Sequence, residues 1–130
     1  MSEENSQPNE DAHLREALRR CPPHTYVAAR EFRKTGNVAH LPAIVHGVIE
    51  RYVERDLRGK MRVPNEELRL AEDLGLDSLS MMEIVMLAEE ILRITIENDE
   101  LRRLRTLGDI TRFIEAKLRD APRGNVMSFS

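Results

Sequence analysis

The stretch DLGLDSLSMMEIVMLAEEIL, Asp73 to Leu92, is where the reading of this chain turns. A glycine-containing turn gives way near Asp77 to a continuous helical pattern. Ile84, Leu87, Ala88, Ile91 and Leu92 recur at i, i+3, i+4, i+7 and i+8, the spacing of one buried helix face. Leu79, Met82 and Met86 form a second stripe, displaced around the same helix and interleaved with Glu83, Glu89 and Glu90. A single core contact does not require both stripes. Unbranched methionines adapt to several surfaces, and carboxylates around them steer a basic partner. The competing reading packs Met82 and Met86 under a long loop or an N-terminal segment. The start of the helix is open as well. Asp77 suits an N-cap and makes Ser78 the first helical residue, whereas Ser80-Met81-Met82-Glu83 is itself a capping box beginning two residues later. A phosphate attached to the Ser78 hydroxyl would meet the positive end of the helix dipole.

Upstream, Val45, Val48, Ile49, Tyr52 and Val53 fall at helical spacing, so Pro42–Leu57 is expected as the first long helix, with Pro42 in its first turn. Residues 56–73 contain Gly59, Pro64 and many charges and are expected as a long connection, anchored by Leu68, Leu70 and Leu74. The second helix is expected over Ser78–Leu92. Arg93 to Glu97 is expected as a short extended segment, because β-branched Ile94, Thr95 and Ile96 disfavour continuation. Asn98 is expected to cap a short third helix to about Leu104. Thr106-Leu107-Gly108-Asp109 resembles a capping box opening the last helix, whose face is Leu107, Ile110, Phe113, Ile114 and Leu118. The fold class is therefore all-α: a four-helix bundle with a long loop between helices one and two and a short third helix. Residues 1–38 read as an N-terminal extension. It comprises a polar tail to about residue 11, a short helix over His13–Arg20 stopped by Pro22 and Pro23, and a second over Thr25–Lys34 ending at Gly36. Tyr26 and Phe32 are expected to dock it on the bundle or on the long loop. The main domain is expected over 39–119, and residues 120–130 read as a flexible tail.

Composition narrows the function. Of the 130 residues 41% are hydrophobic and 33% charged, with no tryptophan and only five Tyr plus Phe, which fits one small domain built on aliphatic contacts and excludes a base-stacking surface. Residues 66–100 hold 2 Lys plus Arg against 11 Asp plus Glu, between two mildly basic arms. That block disfavours nucleic acid and suits partners with basic docking surfaces. No run of about 18 apolar residues occurs, and the start of the chain is acidic and polar, so no membrane insertion and a cytoplasmic location are expected. Cys21 is the only cysteine and no two histidines stand at i, i+4 on one helix, so neither a disulfide nor a metal site is expected. Ser78 has no histidine near it in sequence, and no nucleophile elbow or metal motif is present, so an enzyme is not expected.

From about Leu41 to Leu118 the sequence resembles the acyl carrier protein family. The resemblance is strongest over RLAEDLGLDSLSMMEIVMLAEEIL, Arg69 to Leu92, where an apolar-x-Glu-Asp-Leu-Gly lead-in precedes Asp-Ser-Leu and an acidic helix. Ile96 to Glu100 and the Thr106-Leu107 start of the final helix follow the family spacing without a gap. The resemblance implies that a separate transferase, using coenzyme A and Mg²⁺, attaches 4′-phosphopantetheine to Ser78, and that the arm's thiol holds acyl groups as thioesters. It further implies that Asp77 and Leu79 flank the attachment point and that Met82, Glu83, Met86, Glu89 and Glu90 form the partner-recognition face. Ile84, Ala88 and Leu92, with Val48, Ile49, Ile110 and Ile114, would line the interior that shelters an acyl chain. The implied partners are the phosphopantetheinyl transferase and acyl-transfer and acyl-processing enzymes with basic docking surfaces, the carrier itself being a monomer without catalysis. Ser80 stands where the family often has an acid, and Arg102, Arg103 and Arg105 occupy a region that is commonly acidic. The connection after helix one is long, and the 38-residue extension lies outside the common pattern. These departures point to a specialised carrier for a dedicated fatty acid, lipid or polyketide pathway. The alternative is an interaction module on the same fold that is never modified and grips a helical or basic partner through Leu79, Met82 and Met86.

Overall fold

Prolines and caps set the helix boundaries. Pro23 and Pro42 each lie in a first turn, where a missing N–H costs no intrahelical bond. The computed structural model describes residues 11–120; the tails expected at either end fall largely outside these residues. The helices are α1 (11–17), α2 (Pro23–Thr35), α3 (Leu41–Tyr52), α4 (Ser78–Leu92), α5 (Asn98–Leu101) and α6 (Leu107–Arg119). Two 3₁₀ turns, Val38–His40 and Arg55–Met61, flank α3. The architecture is all-α, and no helix among the described residues is long and apolar enough to cross a membrane.

Helix α3 is the hub and packs against α2, α4 and α6. Its approach to α2 is close enough to demand a glycine: a Cβ on Gly47 would lie 1.7 Å from Oγ1 of the buried Thr25. Leu14 and Leu18 near α1 and Ala28, Ala29 and Phe32 on α2 join Ile44, Val48, Ile49, Ile84, Ile91, Ile110 and Ile114 in one continuous core. The N-terminal helices thus share the bundle's core, each buried Leu or Phe contributing about 1.5–3 kcal/mol. Tyr26 is half-buried at the edge of this core, where its hydroxyl donates to Asp11 and Arg15 and Arg30 lie over its ring.

Several boundaries differ from the sequence reading. The first N-terminal helix runs over 11–17 rather than His13–Arg20, giving way to a turn before Pro22. The second runs over Pro23–Thr35 rather than Thr25–Lys34, because Pro23 is accepted in its first turn. The first long helix ends at Tyr52 rather than Leu57, because Val53 turns to extended backbone (φ −87°, ψ 134°) and buries its side chain. The Val53 carbonyl is then taken by Nε of Arg58 at 2.8 Å. The short helix ends at Leu101 rather than Leu104, and its N-cap is Glu97 rather than Asn98. The cause is Glu100, whose Oε1 accepts the Glu97 N–H at 2.9 Å while both its oxygens accept Nζ of Lys117 at 3.0 Å. The segment after Leu92 opens with Arg93 in the left-handed region (φ 58°), its N–H donating to the Glu89 carbonyl at 2.8 Å.

The long connection is held as expected by buried Leu68, Leu70 and Leu74, with Met61 and Leu76 added. It is also stitched to the entry of α6. The N–H groups of Leu70, Leu107 and Gly108 donate to the carbonyls of Arg105, Leu68 and Glu66 at 2.9, 2.9 and 2.8 Å. The α6 capping box forms as read: Thr106 Oγ1 accepts the Asp109 N–H at 3.0 Å and Asp109 Oδ2 accepts the Thr106 N–H at 3.1 Å.

Candidate functional site

The turn that delivers Ser78 is built from its own side chains. The Asp73 carboxylate accepts the Arg69 guanidinium at 3.1 Å through each oxygen and the Arg69 backbone N–H at 2.8 Å. Those bonds hold its pKa at about 2, the Arg69 side chain contributing most. Gly75 then takes φ +69°, a conformation that suits glycine, and its neighbours Leu74 and Leu76 point into the core. With both leucines anchored, the next three residues, Asp77, Ser78 and Leu79, are all exposed.

Asp77, not Ser80, begins the helix. Its Oδ1 accepts the Ser80 N–H at 2.8 Å and its carbonyl accepts the Met81 N–H at 2.9 Å. Ser78 is therefore the first helical residue, its hydroxyl exposed beside first-turn N–H groups at the positive end of the dipole. The Ser80 N–H, foremost, lowers the Asp77 pKa. Both Asp73 and Asp77 are thus depressed on folding. Their contribution to stability is complete above the ordinary carboxylate value of 3.8 and is lost as pH falls through the folded values, for Asp73 near 2. Asp77→Ala is expected to lower the melting temperature at pH 7 by about 5 °C and to flatten the acid limb of a melting-temperature against pH profile, which calorimetry checks.

The two stripes of α4 separate as their spacing implies. Ile84, Leu87, Ala88, Ile91 and Leu92 are buried, as are Val48, Ile49, Ile110 and Ile114 opposite them. Leu79, Met82 and Met86 are 64%, 57% and 64% exposed, so neither methionine lies under the loop or the N-terminal helices. The three glutamates differ. Glu83 is exposed beside the apolar row. Glu89 Oε2 accepts the Ile96 N–H at 2.8 Å and so fastens the segment after the helix. Glu90 meets Nε2 of His13 at 2.7 Å, and Arg33 of α2 donates to the carbonyls of Glu90 and Ile91 at 3.4 and 3.2 Å, where a cation complements the helix C-terminus.

Sequence reasoning did not find the basic residues beside this face. An open groove of about 730 Å³ runs between α4 and the end of α3, lined by Arg20, Arg51, Tyr52, Arg58, Met86 and Leu87, with Glu83 and Glu90 on the α4 side. The arginines lie 25 or more positions from Glu83 and Glu90 and come from separate elements, so no local period announces the cluster. Cys21 is buried, and burial pushes its thiol pKa up, away from nucleophilic character. Among the described residues no group of three or more His, Cys, Asp and Glu side chains could hold a metal ion.

The phosphopantetheine attachment site family matches residues 52–114, a span that takes in the lead-in turn, Ser78, α4 and most of α6. Acyl carrier protein of Wolinella succinogenes is 46% identical over 50 residues, covering 38% of this chain and 66% of that protein. That of Exiguobacterium sibiricum is 47% identical over 47 residues, covering 36% and 60%. The chain thus spans less than two thirds of the length of these two relatives. Acyl carrier protein of an Arthrobacter species is 40% identical over 72 residues, covering 47% of this chain and 89% of its own length. With a four-helix core, an exposed serine at the mouth of α4 and this breadth of similarity, the chain belongs to the acyl carrier protein family.

Proposed function

We propose that Ser78 is the attachment point of 4′-phosphopantetheine and that the chain is a carrier, not a catalyst. The observation that carries this reading is the capped first turn of α4: Asp77 spends its carboxylate on the Ser80 N–H, which leaves the Ser78 hydroxyl exposed and unhindered. The residues fit the group. Attachment joins Ser78 Oγ to the phosphate of the pantetheine half of coenzyme A and releases the nucleotide half, and the developing phosphodiester charge lies at the positive end of the helix dipole. Once bound, the arm supplies a terminal thiol for thioester chemistry. The chain's own residues do the rest: Leu79, Met82 and Met86 offer an adaptable apolar contact and Glu83 supplies steering charge. Fast, weak docking of this kind suits a cargo that visits several enzymes.

The partners on this reading are the modifying transferase and acyl-processing enzymes with basic docking surfaces, and the chain acts as a monomer in a dedicated lipid or polyketide pathway. What supports a specialised rather than general role is the pair of N-terminal helices built into the core, with Arg33 of α2 donating to the carbonyls at the end of α4. Because Glu89 and Glu90 are engaged by Ile96 and His13, the steering role falls mainly on Glu83. Glu83→Lys is expected to slow phosphopantetheine transfer roughly tenfold at low ionic strength, with the difference shrinking in salt. A time course of intact mass measures it, and an unchanged rate at low salt would overturn the steering argument.

A further inference from the structure

Arg20, Arg51 and Arg58 are not used by the carrier reading. They come from the chain between α1 and α2, from α3 and from the 3₁₀ turn after it, and they converge on the groove beside α4. Among the described residues none of the three forms an ion pair with a carboxylate, although Glu83 and Glu90 line the same groove. Two of them are held in place by other means. Arg58 donates Nε to the Val53 carbonyl at 2.8 Å, and the Arg51 guanidinium lies over the Tyr52 ring at 4.8 Å. Arg20 is exposed. Tyr52, Met86 and Leu87 supply apolar wall between the guanidinium groups.

An aliphatic chain that ends in an anion fits this arrangement. Methylenes lie against the methionine, leucine and ring, and a guanidinium fork takes a carboxylate through paired hydrogen bonds. The volume falls within the range of small-molecule sites. The groove also begins close to Ser78. Leu79, Glu83 and Met86 follow one another at i, i+4 and i+7, and Met86 is eight residues beyond Ser78, about 12 Å along the helix axis. A ligand tethered at Ser78 samples the groove at high effective concentration, so a weak grip suffices.

We infer that the groove lined by Arg20, Arg51, Arg58, Tyr52 and Met86 receives the distal end of an arm-borne acyl group that terminates in a carboxylate. The inference rests on the carrier reading of Ser78. Its chemistry favours dicarboxylic acyl cargo over methyl-ended cargo, which has no charge to offer the arginines.

The test uses the full chain loaded at Ser78 with stable amide-linked pantetheine analogues bearing adipoyl or hexanoyl, compared by ¹H–¹⁵N correlation spectra. Intact mass is read first. A chain that cannot be loaded overturns the carrier reading and this inference with it, whereas a loaded chain isolates the inference. Adipoyl relative to hexanoyl is expected to shift Arg20, Arg51, Tyr52 and Met86. Arg20→Gln, at an exposed position, is expected to lower the bound-to-free ratio about 1.5- to fivefold with an unchanged melting temperature. Arg51→Gln and Arg58→Gln are expected to act in the same direction. Identical spectra for the two cargoes at these residues overturn the inference, as does an unaltered ratio in all three variants. Hexaglutamate peptide shifting the groove residues when adipoyl does not would assign the site to an acidic partner segment and overturn it equally.

Discussion

Incubated with coenzyme A, Mg²⁺ and a broad-specificity phosphopantetheinyl transferase, the wild-type chain is expected to gain one phosphopantetheine, and Ser78→Ala none. The loss is complete because the hydroxyl is the bonding atom, and no nearby group substitutes for it. Ser80 is the neighbouring candidate, and its geometry argues against it. It is only partly exposed, and its N–H is tied to Asp77 in the helix cap, one turn-fraction further into α4. Ser80→Ala is therefore expected to gain the arm as wild type does. The fold of Ser78→Ala should be preserved, since its side chain makes no core contact and the cap belongs to Asp77. Intact mass with far-ultraviolet circular dichroism checks both points. No addition to wild type, under conditions that modify a control carrier, would favour the unmodified interaction module.

Removing residues 1–38 is expected to lower the melting temperature by more than about 15 °C or to abolish the cooperative transition. The physical reason is burial. Leu14, Leu18, Ala29 and Phe32 are each 8% exposed or less and belong to the same core as α3, α4 and α6. Truncating one such leucine or phenylalanine costs about 2–5 kcal/mol, against a total of about 5–15 kcal/mol for a domain. Deletion also strips cover from the α3 face around Gly47, which is shaped to receive Thr25 and has no side chain of its own to fill the gap. Phe32→Ala provides a milder probe, with an expected fall of more than about 10 °C by calorimetry. An unchanged melt after deletion would mean that these helices do not stabilise the bundle.

How much of this was legible beforehand depended on how far apart the interacting groups lie. The body of α4 and its end at Leu92 follow directly from its apolar spacing, because i, i+3 and i+4 neighbours share a helix face whatever the rest of the chain does. Thr106 and Asp109 are three residues apart, so their capping box was readable too. Where two local solutions competed, sequence could not choose: Asp77 and Ser80 both offer sound caps, and the burial of Leu74 and Leu76 favours the earlier one by fixing the turn before it. The Asn98 expectation failed for a related reason. Glu100 is held by Lys117 from α6, and that distant contact tips the cap to Glu97.

The candidate site divides in the same way. Ser78 is singled out by the resemblance of the Asp77-Ser78-Leu79 motif and its lead-in. The exposed row of Leu79, Met82 and Met86 and the buried stripe behind them follow from periodicity within a single helix. The roles of the acids do not, since Glu89 and Glu90 have different partners only because Ile96 and His13 fold back to meet them. The all-α class and the body of α4 with its two stripes are thus readable from the chain alone, because they rest on neighbours within a turn or two. The sharing of the core by the N-terminal helices, the sewing of the long loop to α6 and the gathering of three arginines beside α4 emerge only on folding. Those outcomes depend on the close approach of segments remote in the chain, which side-chain volume and backbone hydrogen bonding set and no local period encodes.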